Sequence, residues 1–277
     1  MKNLLTRTLA GSVYVALIVV GIVLHSAVFL ALFSLIVAFC LWEFYGLLNK
    51  QKKIRIQPWF NCLGGVVLFV ATFLYAQNIF DYRIFAVYLL YVVIVLIVEL
   101  YEKQPDPLTH AAYLFFGQLY IALPFSLLNF IVFTPVISEN AHYFPAVLAL
   151  ALFVFIWIND TGAYLIGSKF GKHRLLERIS PLKSWEGFIG GLVFTVATAF
   201  IFNYFIPNIP IYHWIGLAIA VVIFATLGDL IESLIKRTLS VKDSGTAIPG
   251  HGGFLDRFDS FLLAVYAVLF YIQFFAL

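Results

Sequence analysis

Nine apolar runs of roughly twenty residues follow one another along the chain, and they decide in which solvent it can fold. Of the 277 residues, 63% are hydrophobic and 11% are charged, whereas a soluble domain carries roughly 25% charged residues. No water-soluble fold could bury this much apolar surface. Lipid must therefore be the solvent for most of the chain.

The same runs predict the class of fold. A backbone polar group without a partner costs several kcal/mol in hydrocarbon, so only helices and closed barrels can cross a bilayer. The runs are continuous rather than alternating, which favours helices over a barrel. We therefore predict an all-α polytopic integral membrane protein with nine transmembrane helices, at approximately residues 8–24, 27–48, 59–76, 84–101, 110–133, 143–166, 187–206, 211–234 and 258–276.

The basic residues predict how these helices are oriented. With a cytoplasmic N-terminus, the cytoplasmic segments are residues 1–7, 49–58, 102–109, 167–186 and 235–257. These segments hold 16 of the 17 Lys and Arg residues, and Arg83 is the exception. Because Lys and Arg concentrate in cytoplasmic loops, we expect the N-terminus inside and the C-terminus outside.

Carboxylates lie at the cytoplasmic ends of the last four apolar runs or in the loops that join them. Asp160, Asp229 and Asp259 lie within or against apolar sequence, where an uncompensated carboxylate costs at least roughly 2.5–3.5 kcal/mol. Asp229 and Glu232 are spaced i, i+3, and Asp256 and Asp259 repeat this spacing, so each pair shares a helix face. Clustered carboxylates repel one another unless a cation lies among them, and hard oxygen ligands suit Mg²⁺. Structural ion pairs are the alternative for any single carboxylate.

Cationic and glycine-rich segments accompany the carboxylates. Beside the eighth and ninth runs stand Lys236, Arg237, Lys242, His251 and Arg257, with glycines at 245, 250, 252 and 253. The loop 167–186 adds Lys169, Ser180, Lys183 and Ser184. Each feature has a simpler explanation: basic residues complement a helix dipole or bind lipid headgroups, and glycines occur in ordinary loops. Together, however, a cationic rim around carboxylates is typical of metal-assisted phosphoryl or nucleotidyl transfer.

Residues 233–259 carry a specific motif, SLIKRTLSVKDSGTAIPGHGGFLDRFD. This motif resembles, position for position, the signature of the phosphatidate cytidylyltransferases (CDP-diacylglycerol synthases). Two upstream segments, NDTGAYLIGSKFGKHRL at 159–175 and ISPLKSWEGFIGG at 179–191, are also similar to that family. The resemblance is dense over roughly residues 159–260, and before residue 150 it is one of hydropathy alone.

The resemblance implies that CTP and phosphatidate react to give CDP-diacylglycerol and pyrophosphate, with Mg²⁺ as cofactor and K⁺ as a candidate second cation. It implies metal binding by Asp229, Asp256 and Asp259. Catalytic roles are then expected for these three aspartates together with Lys236 and Arg237. Substrate-binding roles are expected for Asp160, Lys169, Ser180, Lys183, Ser184, Lys242, Asp243, His251 and Arg257.

The resemblance also implies an organisation for the chain. Residues 1–140, with helices one to five, are expected to form a scaffold and the candidate interface of a homodimer. Residues 141–277, with helices six to nine and their cytoplasmic loops, are expected to form the catalytic region. We expect a multi-pass protein of the bacterial cytoplasmic (inner) membrane with its active site on the cytoplasmic side. Membrane lipid is an expected partner and nucleic acid is not.

Two other functions deserve comparison. Intramembrane carboxylates also mark the ion pathways of secondary transporters, but those lie near the bilayer midplane, whereas these crowd the cytoplasmic ends of the runs. A CDP-alcohol phosphatidyltransferase would carry a D-G-x₂-A-R…D-x₃-D pattern, which this sequence lacks. The sequence therefore favours the nucleotidyltransferase.

Overall fold

The computed structural model describes residues 2–50, 55–102, 105–133, 146–245 and 252–275, with the side chains of residues 2–9 left aside. Over these residues the chain is helical apart from loops and one two-stranded sheet. The α-helices are α1 (Lys2–Val23), α2 (Ser26–Asn49), α3 (Pro58–Ala76), α4 (Phe85–Tyr101), α5 (Pro107–Gly117), α6 (Leu123–Phe133), α7 (Ala146–Phe170), α8 (Trp185–Phe205), α9 (Ile211–Thr238) and α10 (Leu255–Phe275). A 3₁₀ turn (Tyr82–Ile84) precedes α4, and a π-helical turn (Gln118–Ala122) joins α5 to α6.

Eight helical segments of the described chain are long and apolar enough to cross a membrane. They correspond to the second to ninth predicted runs, so the predicted all-α polytopic membrane fold is confirmed. The first predicted run lies in α1, whose described apolar stretch, Ala10–Val23, is shorter than the other eight. The ninth crossing and the orientation of the termini stay predictions.

The chain forms two compact units. Unit 1 comprises Met1–Phe133 and Leu239–Phe258, and unit 2 comprises Thr134–Thr238 and Asp259–Leu277. The division into a scaffold and a catalytic region at residue 140 stays a prediction.

Unit 1 combines an aromatic core with a buried polar network. Phe29 stacks at a tilt on Phe33 with ring centroids 4.6 Å apart, and it meets Phe133 edge to face at 5.3 Å. Nearby, Gln118 Nε2 donates hydrogen bonds to Tyr45 Oη at 3.1 Å and to the carbonyl oxygen of Asn61 at 2.8 Å. Because unpaired polar groups are costly in an apolar interior, these bonds fix how α2, α3 and the π-helical turn pack.

Unit 2 brings α7, α8 and α9 together through close helix contacts. At Gly191 on α8, an added Cβ would lie 2.3 Å from Oδ1 of Asn159 on α7, so the two helices can approach this closely only without a side chain. Small residues at helix interfaces allow such approach in membrane proteins. Between α7 and α8 the chain forms a hairpin of β1 (Arg174–Leu176) and antiparallel β2 (Ser180–Ser184), in which Arg174 pairs with Ser184 and Leu176 with Ser180.

Candidate active site

An ion pair in unit 2 joins the hairpin to α9. The Nζ atom of Lys183 on β2 contacts Oδ2 of Asp229, and about 30% of the Asp229 side chain is exposed. The hydroxyl of Ser233, one turn further along α9, donates a hydrogen bond to Oδ1 of Asp229 at 3.3 Å. Lys183 therefore supplies the partner that a carboxylate within an apolar helix requires.

Two further carboxylates approach this pair. Asp259 on α10 is partly buried, and its Oδ1 accepts a hydrogen bond from the backbone N–H of Ser260 at 2.6 Å. The charged groups that act on Asp259 are Asp229, Asp160 on α7, and Lys183. Three helices and the hairpin thus gather three carboxylates and a lysine, which we call the carboxylate cluster (Asp160, Lys183, Asp229 and Asp259).

A glycine explains why two of these carboxylates lie on closely spaced helices. A Cβ built on Gly228 of α9 would lie 2.6 Å from the carbonyl oxygen of Asp259 and 3.2 Å from that of Ser260. Both contacts are with backbone, which cannot move aside as a flexible side chain can. Gly228 therefore allows α9 to meet α10 next to Asp229.

The hairpin that carries Lys183 is tied down at both ends. The carboxylate of Glu186 on α8 accepts backbone hydrogen bonds from Lys172 at 3.1 Å and from His173 at 3.2 Å. It also contacts Nδ1 of His173 at 2.6 Å. Ser184 ends β2 and caps α8, because its Oγ accepts the hydrogen bond of the Gly187 N–H at 3.1 Å. These bonds hold the base of the hairpin and so the position of Lys183.

A cavity of about 540 Å³ opens beside the cluster within unit 2. Its wall includes Asp160, Lys183, Ser184 and Asp229 from the sequence-based set, together with Arg174 from β1. This volume lies in the range of about 300–1,000 Å³ that is usual for small-molecule sites. Carboxylates, two cations and a hydroxyl therefore face one space that could hold a polar ligand.

Other residues of the sequence-based set lie elsewhere in unit 2. Lys236 pairs with buried Glu232 one turn earlier on α9, with Nζ 3.1 Å from Oε1. Arg237 and Lys169 are exposed at the ends of α9 and α7, and Ser180 is half-buried at the start of β2. The wall of the described cavity includes none of these four residues. Their predicted roles stay predictions.

Asp256 lies in unit 1, where it organises the glycine-rich part of the motif. Its Oδ2 accepts hydrogen bonds from the backbone N–H groups of Ser244 at 2.9 Å and Gly253 at 2.8 Å. The role of Asp256 as a metal ligand stays a prediction. Lys242, Asp243 and Arg257 are exposed in unit 1, and His251 lies outside the described residues.

Glu43 on α2 is a residue that the sequence analysis did not select. Its Oε2 accepts hydrogen bonds from the backbone N–H of Leu255 at 2.9 Å and from Ser244 Oγ at 3.2 Å. A Cβ on Gly253 would lie 2.3 Å from the same oxygen, and one on Gly245 would lie 2.5 Å from Oε1. These two glycines therefore make room for a partly buried carboxylate. A carboxylate within the predicted run 27–48 was the signal that could have identified it.

The donor set of the carboxylate cluster fits a divalent cation. Asp160, Asp229 and Asp259 carry hard oxygen donors that repel one another. Lys183, which pairs with Asp229, is the cation that acts on this group. Mg²⁺ binds through one or two protein carboxylates plus substrate phosphates and water, rather than within an all-protein cage. The carboxylate cluster offers a few carboxylates beside a cavity, which fits this mode of binding.

Comparison with known proteins places these features in a family. Residues 5–275 match the model of the cytidylyltransferase family. The chain is 39% identical over 173 residues to a phosphatidate cytidylyltransferase from Staphylococcus aureus (strain COL), which is 62% of this chain and 63% of that protein. It is 48% identical over 128 residues to a phosphatidate cytidylyltransferase from Haemophilus influenzae, which is 44% of each protein. The matched region thus spans less than two thirds of these relatives.

Proposed function

The chain belongs to the cytidylyltransferase family, and we propose that it transfers CMP from CTP to phosphatidate, giving CDP-diacylglycerol and pyrophosphate for phospholipid biosynthesis. Relatives in S. aureus and H. influenzae carry the name of this activity. The observation that carries the proposal is the carboxylate cluster beside a cavity in a bundle of apolar helices. Such a cluster is costly in a membrane protein and is expected where charged substrates bind.

The chemistry requires positioning and charge neutralisation more than proton transfer. The phosphate of phosphatidate is already an anion at neutral pH and attacks the α-phosphorus of CTP as pyrophosphate leaves. Lys183 and Arg174 on the cavity wall offset negative charge on the phosphates, which is most valuable where that charge grows during the reaction. The hairpin ties described above hold Lys183 in place, so the cation need not reorganise during the reaction.

We assign Mg²⁺ to Asp229 and Asp259, and the sequence motif adds Asp256 as a third ligand. When bound, the metal neutralises phosphate charge and orients the reacting groups. Asp160 orients the nucleotide or a neighbouring cation. K⁺ as a second cation and a homodimer are further parts of the proposal that rest on family resemblance.

The proposed site lies at headgroup depth on the cytoplasmic side of a bacterial membrane. Asp160 and Asp229 lie in the second halves of α7 and α9, towards the ends that the distribution of basic residues assigns to the cytoplasm. CTP then reaches the site from water, while the acyl chains of phosphatidate stay in the bilayer.

One assay tests the reaction directly. Purified protein is incubated with labelled CTP, phosphatidate and Mg²⁺, and the lipid fraction is analysed for CDP-diacylglycerol. We expect a CDP-lipid from the wild type, none from Asp259→Asn, and normal product from the exposed control Asp81→Asn. Size-exclusion chromatography in detergent checks that each variant is folded. Normal turnover by Asp259→Asn would contradict the assignment of that residue, and product from another nucleotide but not from CTP would contradict the substrate.

A further inference from the structure

A second group of ligating side chains lies within unit 1 and shares no residue with the proposed active site. Glu99 lies near the end of α4, Glu102 follows that helix, and His110 lies in α5. One nitrogen or oxygen atom from each of the three lies within 4.8 Å of the others. The side chains of Glu99 and His110 are only 9% and 7% exposed. The side chains of Glu99 and His110 are therefore largely buried, and Glu102 is half-buried beside them.

The hydrogen bonds of His110 decide which ring nitrogen faces Glu99. Its Nε2 lies 3.0 Å from the carbonyl oxygen of Arg55, which can only accept a hydrogen bond, so Nε2 carries a proton. Its Nδ1 contacts Oε1 of Glu99. In a neutral ring this Nδ1 presents a lone pair to a carboxylate oxygen. The contact therefore requires a second proton, on the ring or on the carboxyl group, or a cation that both atoms share.

The remaining charges of the group favour a shared cation. Oε2 of Glu99 is buried and has no hydrogen-bond partner among the described residues. Glu102 adds a second carboxylate, with a ligand atom within 4.8 Å of those of Glu99 and His110. A divalent cation would offset the negative charge that these carboxylates bring together, and buried charge is costly unless it is balanced.

The space beside the group is consistent with a bound ion. Glu99, Glu102 and His110 line a cavity of about 270 Å³ whose other walls are mainly apolar, including Trp59, Phe60 and Val95. Glu99, which carries a buried carboxylate oxygen without a hydrogen bond, therefore lines a space with few competing polar groups. A cation there would also find room for a water molecule as a further ligand.

We propose that Glu99, Glu102 and His110 bind a divalent transition-metal cation, with Zn²⁺ as the representative ion. Imidazole nitrogen suits Zn²⁺ and its neighbours in the first transition row, whereas Mg²⁺ and Ca²⁺ prefer oxygen ligands alone. Metal-bound histidines usually donate their other N–H to a carbonyl or carboxylate, as Nε2 of His110 does to Arg55. The ion connects α4, α5 and the segment before α3, which is a structural role independent of nucleotidyl transfer.

Metal content tests this site without reference to activity. Purified protein is equilibrated with Zn²⁺ in a large excess of Mg²⁺, which occupies the oxygen-ligand site, and zinc is measured after removal of free ions. We expect about one zinc per chain in the wild type and background levels in His110→Gln, because the site loses its nitrogen ligand. His173→Gln is the matched control. His173 also contacts a glutamate through Nδ1, at 2.6 Å, but 80% of its side chain is exposed. This control should keep its zinc.

A second measurement applies if His110→Gln does not fold. Co²⁺ replaces Zn²⁺, and its visible d–d absorption should appear in the wild type, weaken in the nearly isosteric Glu102→Gln, and persist in His173→Gln. Zinc should also raise the thermal midpoint of the wild type and leave that of Glu102→Gln unchanged. Wild-type protein that retains no zinc and shows no cobalt spectrum would overturn the proposal. Glu99 and His110 would then share a proton without a metal.

Discussion

Lys183 contributes to the proposed reaction in a way that a single substitution can isolate. Its ammonium group contacts Asp229 and faces the cavity, so Lys183→Met removes the cation while keeping much of the side-chain volume. We expect turnover of CTP to fall about 100-fold or more, the usual effect of removing one preorganised electrostatic contact. Steady-state kinetics with CTP and phosphatidate measure this. Lys50→Met, at an exposed position after α2, is the control and should keep its rate. An equal loss in both variants would contradict a specific role for Lys183.

Glu43 offers a residue-scale test of how the motif in unit 1 is positioned. Glu43→Ala leaves the Leu255 N–H and the Ser244 hydroxyl without their acceptor. Leaving buried donors unpaired costs about 1–3 kcal/mol, so the thermal midpoint in detergent should fall. Glu43→Gln keeps one acceptor oxygen and should fall less. Glu177→Ala, which removes an exposed carboxylate, should leave the midpoint unchanged. A Glu43→Ala midpoint equal to that of Glu177→Ala would show that these bonds do not hold the motif.

At the scale of elements, hydropathy predicted the helices well because a helix that crosses lipid must be apolar along its whole length. The candidate site was predictable in part. Asp160, Asp229 and Asp259 were selected because charge within apolar sequence is costly, and unit 2 brings these three together. Their partner was not predictable, because spacing along a helix fixes which residues share a face but not which neighbouring element they meet. From the sequence, Lys183 was therefore predicted only as a substrate-binding residue. Its ion pair with Asp229 could be identified only from the structure.

The contact between α9 and α10 makes an element-scale prediction. Gly228→Ala places a Cβ 2.6 Å from the carbonyl oxygen of Asp259, so the two helices must separate. We expect a loss of about 1–3 kcal/mol in stability, typical of overpacking, and lower turnover because Asp229 and Asp259 move apart. The thermal midpoint and the CTP assay measure the two effects. Gly46→Ala on α2 is the matched control, since nothing lies within 4 Å of its Cβ. Its helix should gain about 0.5–1 kcal/mol from the higher propensity of alanine. Equal midpoints for the two variants would contradict the tight contact.

At the scale of the whole molecule, orientation in the membrane decides whether the proposed site can meet CTP. Eight described helical segments are long and apolar enough to span a bilayer, but length and composition do not distinguish the two sides. That information lies in the basic residues, because lysine and arginine are retained in cytoplasmic loops. Arg83, at the 3₁₀ turn before α4, is the exception to the predicted distribution. The sequence therefore predicts that Arg83 and the loop 167–186 lie on opposite sides of the membrane.

Labelling of single cysteines tests this orientation in intact cells. The native Cys40 and Cys62 are buried thiols, so they should react slowly with a membrane-impermeant maleimide. Cysteine at the exposed position 83 (Arg83→Cys) should be labelled from outside, because the residue lies in the predicted external loop. Lys172, between α7 and β1, is also exposed, so Lys172→Cys should be labelled only after the membrane is permeabilised. The reverse pattern would place the carboxylate cluster on the external face, where CTP is absent, and would contradict the proposed function together with the topology. If both positions were labelled in intact cells, they would lie on the same side of the membrane. The predicted odd number of crossings between them would then be wrong.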